Sequence, residues 1–432
     1  MVTKTTLSSL VLLACSTAVQ ASDKTEIEFW HALGGKNSEA VEHLCSTFNE
    51  QSSTAQIDCI FQGDYQTAMQ KAVASVRSKT HPVLMQFNDV GTTDVMMSGI
   101  FNPVEETISD ADWASYISGA RGYYESSEGK MMSQPWNSST LVMYANKKAL
   151  ADIGIKEVPT TYETILPVLQ KLKDNGHQCP MVTDGGSWRI LEQVAARHGV
   201  EIASNANGFE GLDGEYMVNQ GLIAKHLNNL KEWNQQGLLK LTAETVSGNQ
   251  TAAMASGECA LMESSLSAYG ASKSTLGDDL ELSLAPMYEG HKRHNTFVGG
   301  GSVWLLKGHD AKKDKAAIEF LNFLRQPEQQ LTFTSMTGYL PVTSDGYEFI
   351  KQAGVLDKAE FGSIAPGFES LAQENNAASK GIRLGFYSQF RSIFEEETQK
   401  AFADQISMQQ ALDNTKVRGD LLLRRFERTY LL

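Results

Sequence analysis

Phe297-Val298-Gly299-Gly300-Gly301-Ser302-Val303-Trp304 sets three consecutive glycines between apolar residues. Such a run is poor material for a strand interior and good material for backbone that must approach another group closely. The chain enters it from Phe297-Val298 and leaves through Val303-Trp304-Leu305-Leu306, which reads as a strand. Thr337-Gly338-Tyr339-Leu340-Pro341 follows it. The expectation is bare amides that face a ligand where the chain passes between two halves of the molecule.

Outward from this run the rest of the chain has an α/β rhythm. Ile27-Glu28-Phe29-Trp30 reads as a first strand. Ala40, Val41, Leu44 and Phe48 then recur at helical spacing. Ile57 to Phe61 is a second strand, Tyr65 to Ser78 a helix with Met69, Ala72, Val73 and Val76 as its apolar stripe, and Val83 to Phe87 a third strand. This βαβαβ order predicts a parallel sheet with helices on both faces. Right-handed crossovers place the loops after the strands along one edge, where such sheets bind ligands. Tyr65, Asp89 and the loop from His31 to Lys36 all fall there. The rhythm recurs in the helix Thr160 to Asp174, the strand Pro180 to Thr183, a helix from Trp188 and a strand Cys259 to Met262. Ala316 to Arg325 is a helix stopped by Gln326-Pro327. The stretch from Ile393 to Phe426 reads as entirely helical. No Pro/Gly linker separates two beads, so two α/β lobes with the chain crossing between them fit best.

At 432 residues the chain exceeds one ordinary core. It is 41% apolar and 20% charged, with a net charge of -14, which disfavours nucleic acid or an anionic membrane as partner. Lys4, the apolar run Leu7 to Ala18, and Val19-Gln20-Ala21 before Ser22 predict an export leader over residues 1–21. Leu12-Leu13-Ala14-Cys15 resembles a lipoprotein box, so a lipidated Cys15 is the alternative. No apolar run reaches the length of a membrane span. Cys45, Cys59, Cys179 and Cys259 remain in a compartment that permits disulfides. Proximity favours Cys45 with Cys59 and leaves Cys179 with Cys259, while four buried thiols remain an equal reading.

Enzyme signatures are missing: there is no G-x-S-x-G, H-E-x-x-H or Walker lysine motif. His291 and His294 read as an exposed loop. Asp89 could be half of a glycosidase carboxylate pair, but no partner is identifiable, and a helix cap is the plainer reading. Asn137-Ser138-Ser139-Thr140 and Ser264-Ser265-Leu266-Ser267 each set small hydroxyls beside a strand. Each is a polar turn or a set of donors at a lobe crossing. Arg391 reads as a cation in a mostly uncharged setting, either an ordinary surface arginine or an oxyanion clamp.

Together these segments resemble the periplasmic solute-binding proteins of ABC importers, and within them the members that bind sn-glycerol-3-phosphate. Phe29-Trp30-His31, Gln134 to Thr140, Gly299 to Trp304, Thr337 to Pro341 and Leu422-Leu423-Arg424-Arg425-Phe426-Glu427 carry the resemblance. It implies a two-lobed, type II binding-protein fold with a ligand cleft between the lobes. Residues 22–138 with 303–340 would form one lobe, and 139–302 with 341–432 the other. It implies ligand contacts from Tyr65, Ser139, Ser265, Gly300, Tyr339 and Arg391, mostly to a phosphate. The family commonly has glutamate at the position of Asp89, which accepts from glycerol hydroxyls, and often two tryptophans near Trp188. Here Gly185 lies close to where the first would fall. A shorter carboxylate and a missing indole leave room for a glycerophosphodiester such as glycerophosphocholine. The resemblance implies transport without catalysis, no catalytic residue, no metal and no cofactor, and a monomeric protein that docks on membrane permease subunits. A maltodextrin-like sugar binder is the alternative of the same fold, and a secreted hydrolase the alternative of another class.

Overall fold

The computed structural model describes residues 24–109, 111–126, 128–354, 365–374 and 376–430. The expected leader and Cys15 lie outside them. Eleven strands are present among the described residues: β1 (Thr25–His31), β2 (Ala55–Phe61), β3 (Leu84–Asn88), β4 (Phe101–Asn102), β5 (Gln134–Ser139), β6 (Leu141–Asn146), β7 (Met181–Thr183), β8 (Leu239–Leu241), β9 (Leu261–Ser265), β10 (Leu280–Leu284) and β11 (Gly299–Leu306). They form two sheets. The first has the order β2-β1-β3-β11-β4, with β5 also paired to β11, and the second the order β10-β6-β9-β7-β8.

Alternation builds β1: Ile27, Phe29 and His31 point inward and the residues between them do not. The helix Lys36–Gln51 buries Ala40, Val41, Leu44, Cys45 and Phe48. Phe48 meets Phe320 and Phe323 of the helix Ala311–Leu324 at ring distances of 5.1 and 5.5 Å. Fully burying each such ring stabilises by about 1.5–3 kcal/mol. Disulfides pin both halves. Cys45–Cys59 ties that first helix to β2, and Cys179–Cys259 joins the segments that lead into β7 and β9.

The first sheet is mixed, not parallel as the sequence rhythm predicts. β1, β2 and β3 are parallel, but β11 runs antiparallel to β3, β4 and β5. The glycine run also corrects the expectation, because Gly299–Gly301 open β11 instead of preceding it. A Cβ on Gly300 (φ +130°) would stand 1.8 Å from the Asn137 carbonyl oxygen, and one on Gly301 2.6 Å from that of Phe87. The glycines admit neighbouring strands of the protein itself, and the ladder slips register between Gly301 and Ser302.

β5 and β6 belong to different sheets and only Thr140 separates them. Residues 285–298 make the second crossing, and the Thr296 hydroxyl bonds that of Thr140. The segment after Thr337 touches the first crossing: the Leu340 amide donates to the Ser138 carbonyl at 2.7 Å. By sheet membership Gly299–Ser302 belong to the first lobe and not the second. The helix Ser344–Gln352 packs on Pro327–Thr337 and sits on the first lobe's side as well. With those two changes, the lobe limits expected from sequence are our proposed division.

The C-terminal stretch is two helices, Tyr387–Phe402 and Met408–Tyr430. The break is local. Asp404 takes φ +57°, and Ser407 restarts the chain by accepting from the Gln410 amide through its hydroxyl. The helices then close on each other and on Tyr216, whose ring stacks on Phe390 at 3.8 Å.

Candidate functional site

Every residue of β5 is buried, so the polar groups of Asn137, Ser138 and Ser139 need partners inside the protein. Gln86 on β3 accepts from the Ala32 amide and donates to Asn137 Oδ1 at 2.6 Å, which fixes the amide orientation. Asn137 Nδ2 then donates to the Tyr65 hydroxyl at 2.8 Å. Tyr65 stands at the start of the helix Tyr65–Ser78, held there by Asp64, whose side chain accepts from the Thr67 amide. The Tyr339 hydroxyl bonds with Asn137, Tyr65 and Ser267. Its ring lies parallel to Phe333 at 5.6 Å. Burial pushes both phenols above their ordinary pKa.

Ser139 and Ser265 share a hydrogen bond of 2.6 Å across the two sheets, and Ser267 donates to Ser265 at 3.0 Å. Ser139 also accepts from the Leu266 amide at 3.1 Å. Tyr65, Asn137, Tyr339, Ser267, Ser265 and Ser139 therefore form one continuous chain of polar groups from lobe to lobe.

The other half of the site is charged. Asp89 follows β3 and is 3% exposed. It accepts from the amides of Val90 and Gly300. Desolvation pushes its carboxyl up to about 7, against the pull of Arg391 and with a further push from Glu192. Arg391, on Tyr387–Phe402, is not in an uncharged setting as expected. Its Nε and Nη2 donate to Glu192 at 2.7 and 2.6 Å, and Glu192 is fully buried. Desolvation alone would lower the Arg391 pKa, but Glu192 and Asp89 outweigh it and hold the guanidinium charged. Glu192 takes one edge of the fork and leaves Nη1 for another oxygen.

Trp188 and Glu192 share a π-helical turn, Trp188–Glu192, that leads into the helix Gln193–Arg197. The indole lies on Gly299, where a Cβ would come within 2.5 Å of it. Trp188 Nε1 and the hydroxyls of Tyr124 and Tyr387 are buried without a hydrogen-bond partner among the described residues. The Asp89 charge bears on Tyr124, and those of Glu192 and Arg391 on Tyr387. Farther out, the Phe386 amide donates across the lobes to Asp94 at 3.0 Å.

The structure thus gathers Tyr65, Asp89, Trp188, Ser139, Ser265, Gly300, Tyr339 and Arg391 into one place. Asn137 and Ser267 belong there too, inside the two donor segments read from the sequence, and so do Gln86, Glu192, Tyr124 and Tyr387, which were not singled out. Glu192 left a signal: it is a carboxylate inside Ile190-Leu191-Glu192-Gln193-Val194-Ala195-Ala196, and a charge in an apolar helical run requires a partner. The arrangement offers neutral hydroxyl and amide donors on one side and a shared guanidinium on the other. Among the described residues no three His, Cys, Asp or Glu side chains are set to hold a metal.

Residues 43–355 match the family model described as bacterial extracellular solute-binding protein. The chain is 32% identical over 429 residues to the sn-glycerol-3-phosphate-binding periplasmic protein UgpB of Yersinia enterocolitica, covering 97% of each chain. It is 32% identical over 416 residues to the protein of that name from Rhizobium meliloti, covering 94% of this chain and 96% of the relative. Among solved structures, UgpB from Mycobacterium tuberculosis in complex with glycerophosphocholine superposes with a TM-score of 0.78. It covers 93% of this chain and 99% of that one at 16% identity, a likeness of fold alone.

Proposed function

We propose, from the premise that this chain belongs to the bacterial extracellular solute-binding proteins, that it captures sn-glycerol-3-phosphate in the periplasm and delivers it to an ABC transporter permease. The observation that carries the reading is the convergence of Tyr65, Ser139, Ser265, Tyr339 and Arg391 from both lobes. A phosphate placed there meets hydroxyls that now bond one another and the free edge of Arg391. Neutral donors disperse its charge without a second cation, which suits a site where Glu192 already balances the arginine. Asp89 and the unpartnered Trp188, Tyr124 and Tyr387 groups suit the hydroxyls of the glycerol. Ligand that bridges the lobes favours the shut form over the open one.

A glycerophosphodiester is the second reading. Gly185, at φ +72°, presents no side chain, and only Leu241 comes within 4.0 Å of where a Cβ would stand. The site then has a single indole wall and space for a larger head group. The protein works as a monomer, makes and breaks no bond, and binds no nucleic acid. Residues 1–21 are removed on export.

Titration calorimetry of the mature chain with sn-glycerol-3-phosphate, glycerophosphocholine and maltose tests the reading. Binding of one or both phosphate esters and none of maltose is expected. Binding of maltose alone would overturn it, and so would release of glycerol-3-phosphate from a diester on incubation.

A further inference from the structure

At the far edge of the first sheet, the loop before β3 and the loop after β11 bring His81 and His309 together. Their ring centres are 5.1 Å apart and the planes stand at 75°. Gly308 turns the chain between them at φ +100°, a conformation that side chains rarely adopt.

The protons of the two rings are placed by backbone. His81 Nε2 lies 2.8 Å from the Lys307 carbonyl, which can only accept, so this nitrogen carries the hydrogen and Nδ1 carries the lone pair. His309 bonds to the backbone of Pro82. Proline has no amide hydrogen, so the ring donates to its carbonyl and His309 Nε2 is left with the lone pair. Both lone-pair nitrogens, His81 Nδ1 and His309 Nε2, are buried without a partner among the described residues, and so is Asp314 Oδ1. Asp314 stands in the first turn of Ala311–Leu324 and its charge acts on His309, as does that of Lys313 with opposite sign.

We propose that His81 and His309 are the two protein ligands of a divalent transition-metal site, with Asp314 as the adjoining carboxylate and water in the remaining positions. An imidazole that ligates a metal ordinarily donates its other nitrogen to a carbonyl or carboxylate, and both rings here do so. Two imidazoles on one tetrahedral ion, with metal–nitrogen distances of roughly 2.0–2.1 Å, stand with ring centres about 5 Å apart. Among the described residues no third His, Cys, Asp or Glu joins the two rings in a ready-made set, so water would take the remaining positions. Imidazole ligands select zinc, copper or nickel over magnesium or calcium. A bound ion would clip the loop that enters β3 to the loop that leaves β11.

The test is calorimetric titration of the metal-free mature chain with Zn2+ alone. The expected result is one tight equivalent that His81→Ala and His309→Ala each weaken roughly tenfold or more. Asp314→Asn should weaken it less. Unchanged binding in the His81→Ala, His309→Ala double variant would overturn the site, as would the absence of any tight equivalent in the parent. Both histidines are half-buried in loops. An unfolding midpoint in chelator equal to the parent's shows that a variant is folded, so lost binding then belongs to the ligands. A second readout is the Cu2+ spin-resonance spectrum, where two coupled nitrogens are expected in the parent and one in each single variant.

Discussion

Glu192 changes what a substitution of Arg391 can mean. The pair is bidentate and Glu192 is fully buried, so removing the guanidinium leaves an uncompensated carboxylate. Arg391→Ala should cost about 3–5 kcal/mol of stability, and any loss of ligand binding would be confounded with it. The informative variant is Arg391→Ala with Glu192→Gln. Urea denaturation should show most of the stability restored, while calorimetry shows phosphate-ester binding still lost. A double variant that binds as well as the parent would remove Arg391 from the site. Asp89 makes a separate prediction. Burial lifts its carboxyl to about 7 from 3.8. Between those values the folded chain holds a proton that the unfolded chain has released. That stability is present at about pH 4 and is lost as pH rises towards about 7. Asp89→Asn does not ionise, so its melting temperature without ligand should gain on the parent's across that range. Parallel melting curves would show that Asp89 titrates normally.

At the scale of elements, the two disulfides close loops of different length, with separations of 14 and 80 residues. Loop-closure entropy gives about 3 kcal/mol for the first and about 4–5 kcal/mol for the second. Replacing Cys179 and Cys259 by alanine should therefore lower the denaturation midpoint more than replacing Cys45 and Cys59, and the reverse order would contradict the argument. Elements with one strong period were legible in the sequence. β1 shows its alternation, and the helix Tyr65–Ser78 lies where its period predicts, although of the expected stripe Ala72 is buried and Val73 is exposed, the inner face being Ala68, Ala72 and Ser75. The glycines of β11 hid a strand, because the signal for a strand is side chains and those residues have none. The break at Asp404 hid inside a helical pattern, since one left-handed residue leaves no mark on periodicity. The eight residues proposed for the site were singled out through motif resemblance. The apolar run around Glu192 marks it as a buried carboxylate, but its partner was not legible, because Arg391 lies 199 residues away and no local pattern joins them.

For the whole molecule, the three crossings are one bonded unit. Thr140 meets Thr296, Leu340 meets Ser138, and Gly300 pairs with Ser138. Ser139–Ser265, Ser267–Tyr339 and Phe386–Asp94 are further contacts between the two lobes. A ligand that takes over those contacts should raise the unfolding temperature as its concentration exceeds its dissociation constant.

β11 has a consequence for how the chain reaches its fold. It lies between β3 and β4 in the first sheet, yet it arrives some two hundred residues after β3 in synthesis. The N-terminal portion cannot complete its sheet as it emerges, and must wait with one edge of β3 open and β4 unpaired until residue 306 has followed. Such an order suits a polypeptide threaded through a membrane in the unfolded state, since premature folding is denied to it by topology. In a chain ending at residue 298 the second sheet is complete, but the amides of β1 and β3 should exchange without protection, and protection there equal to the full chain's would show that the first sheet can form without β11.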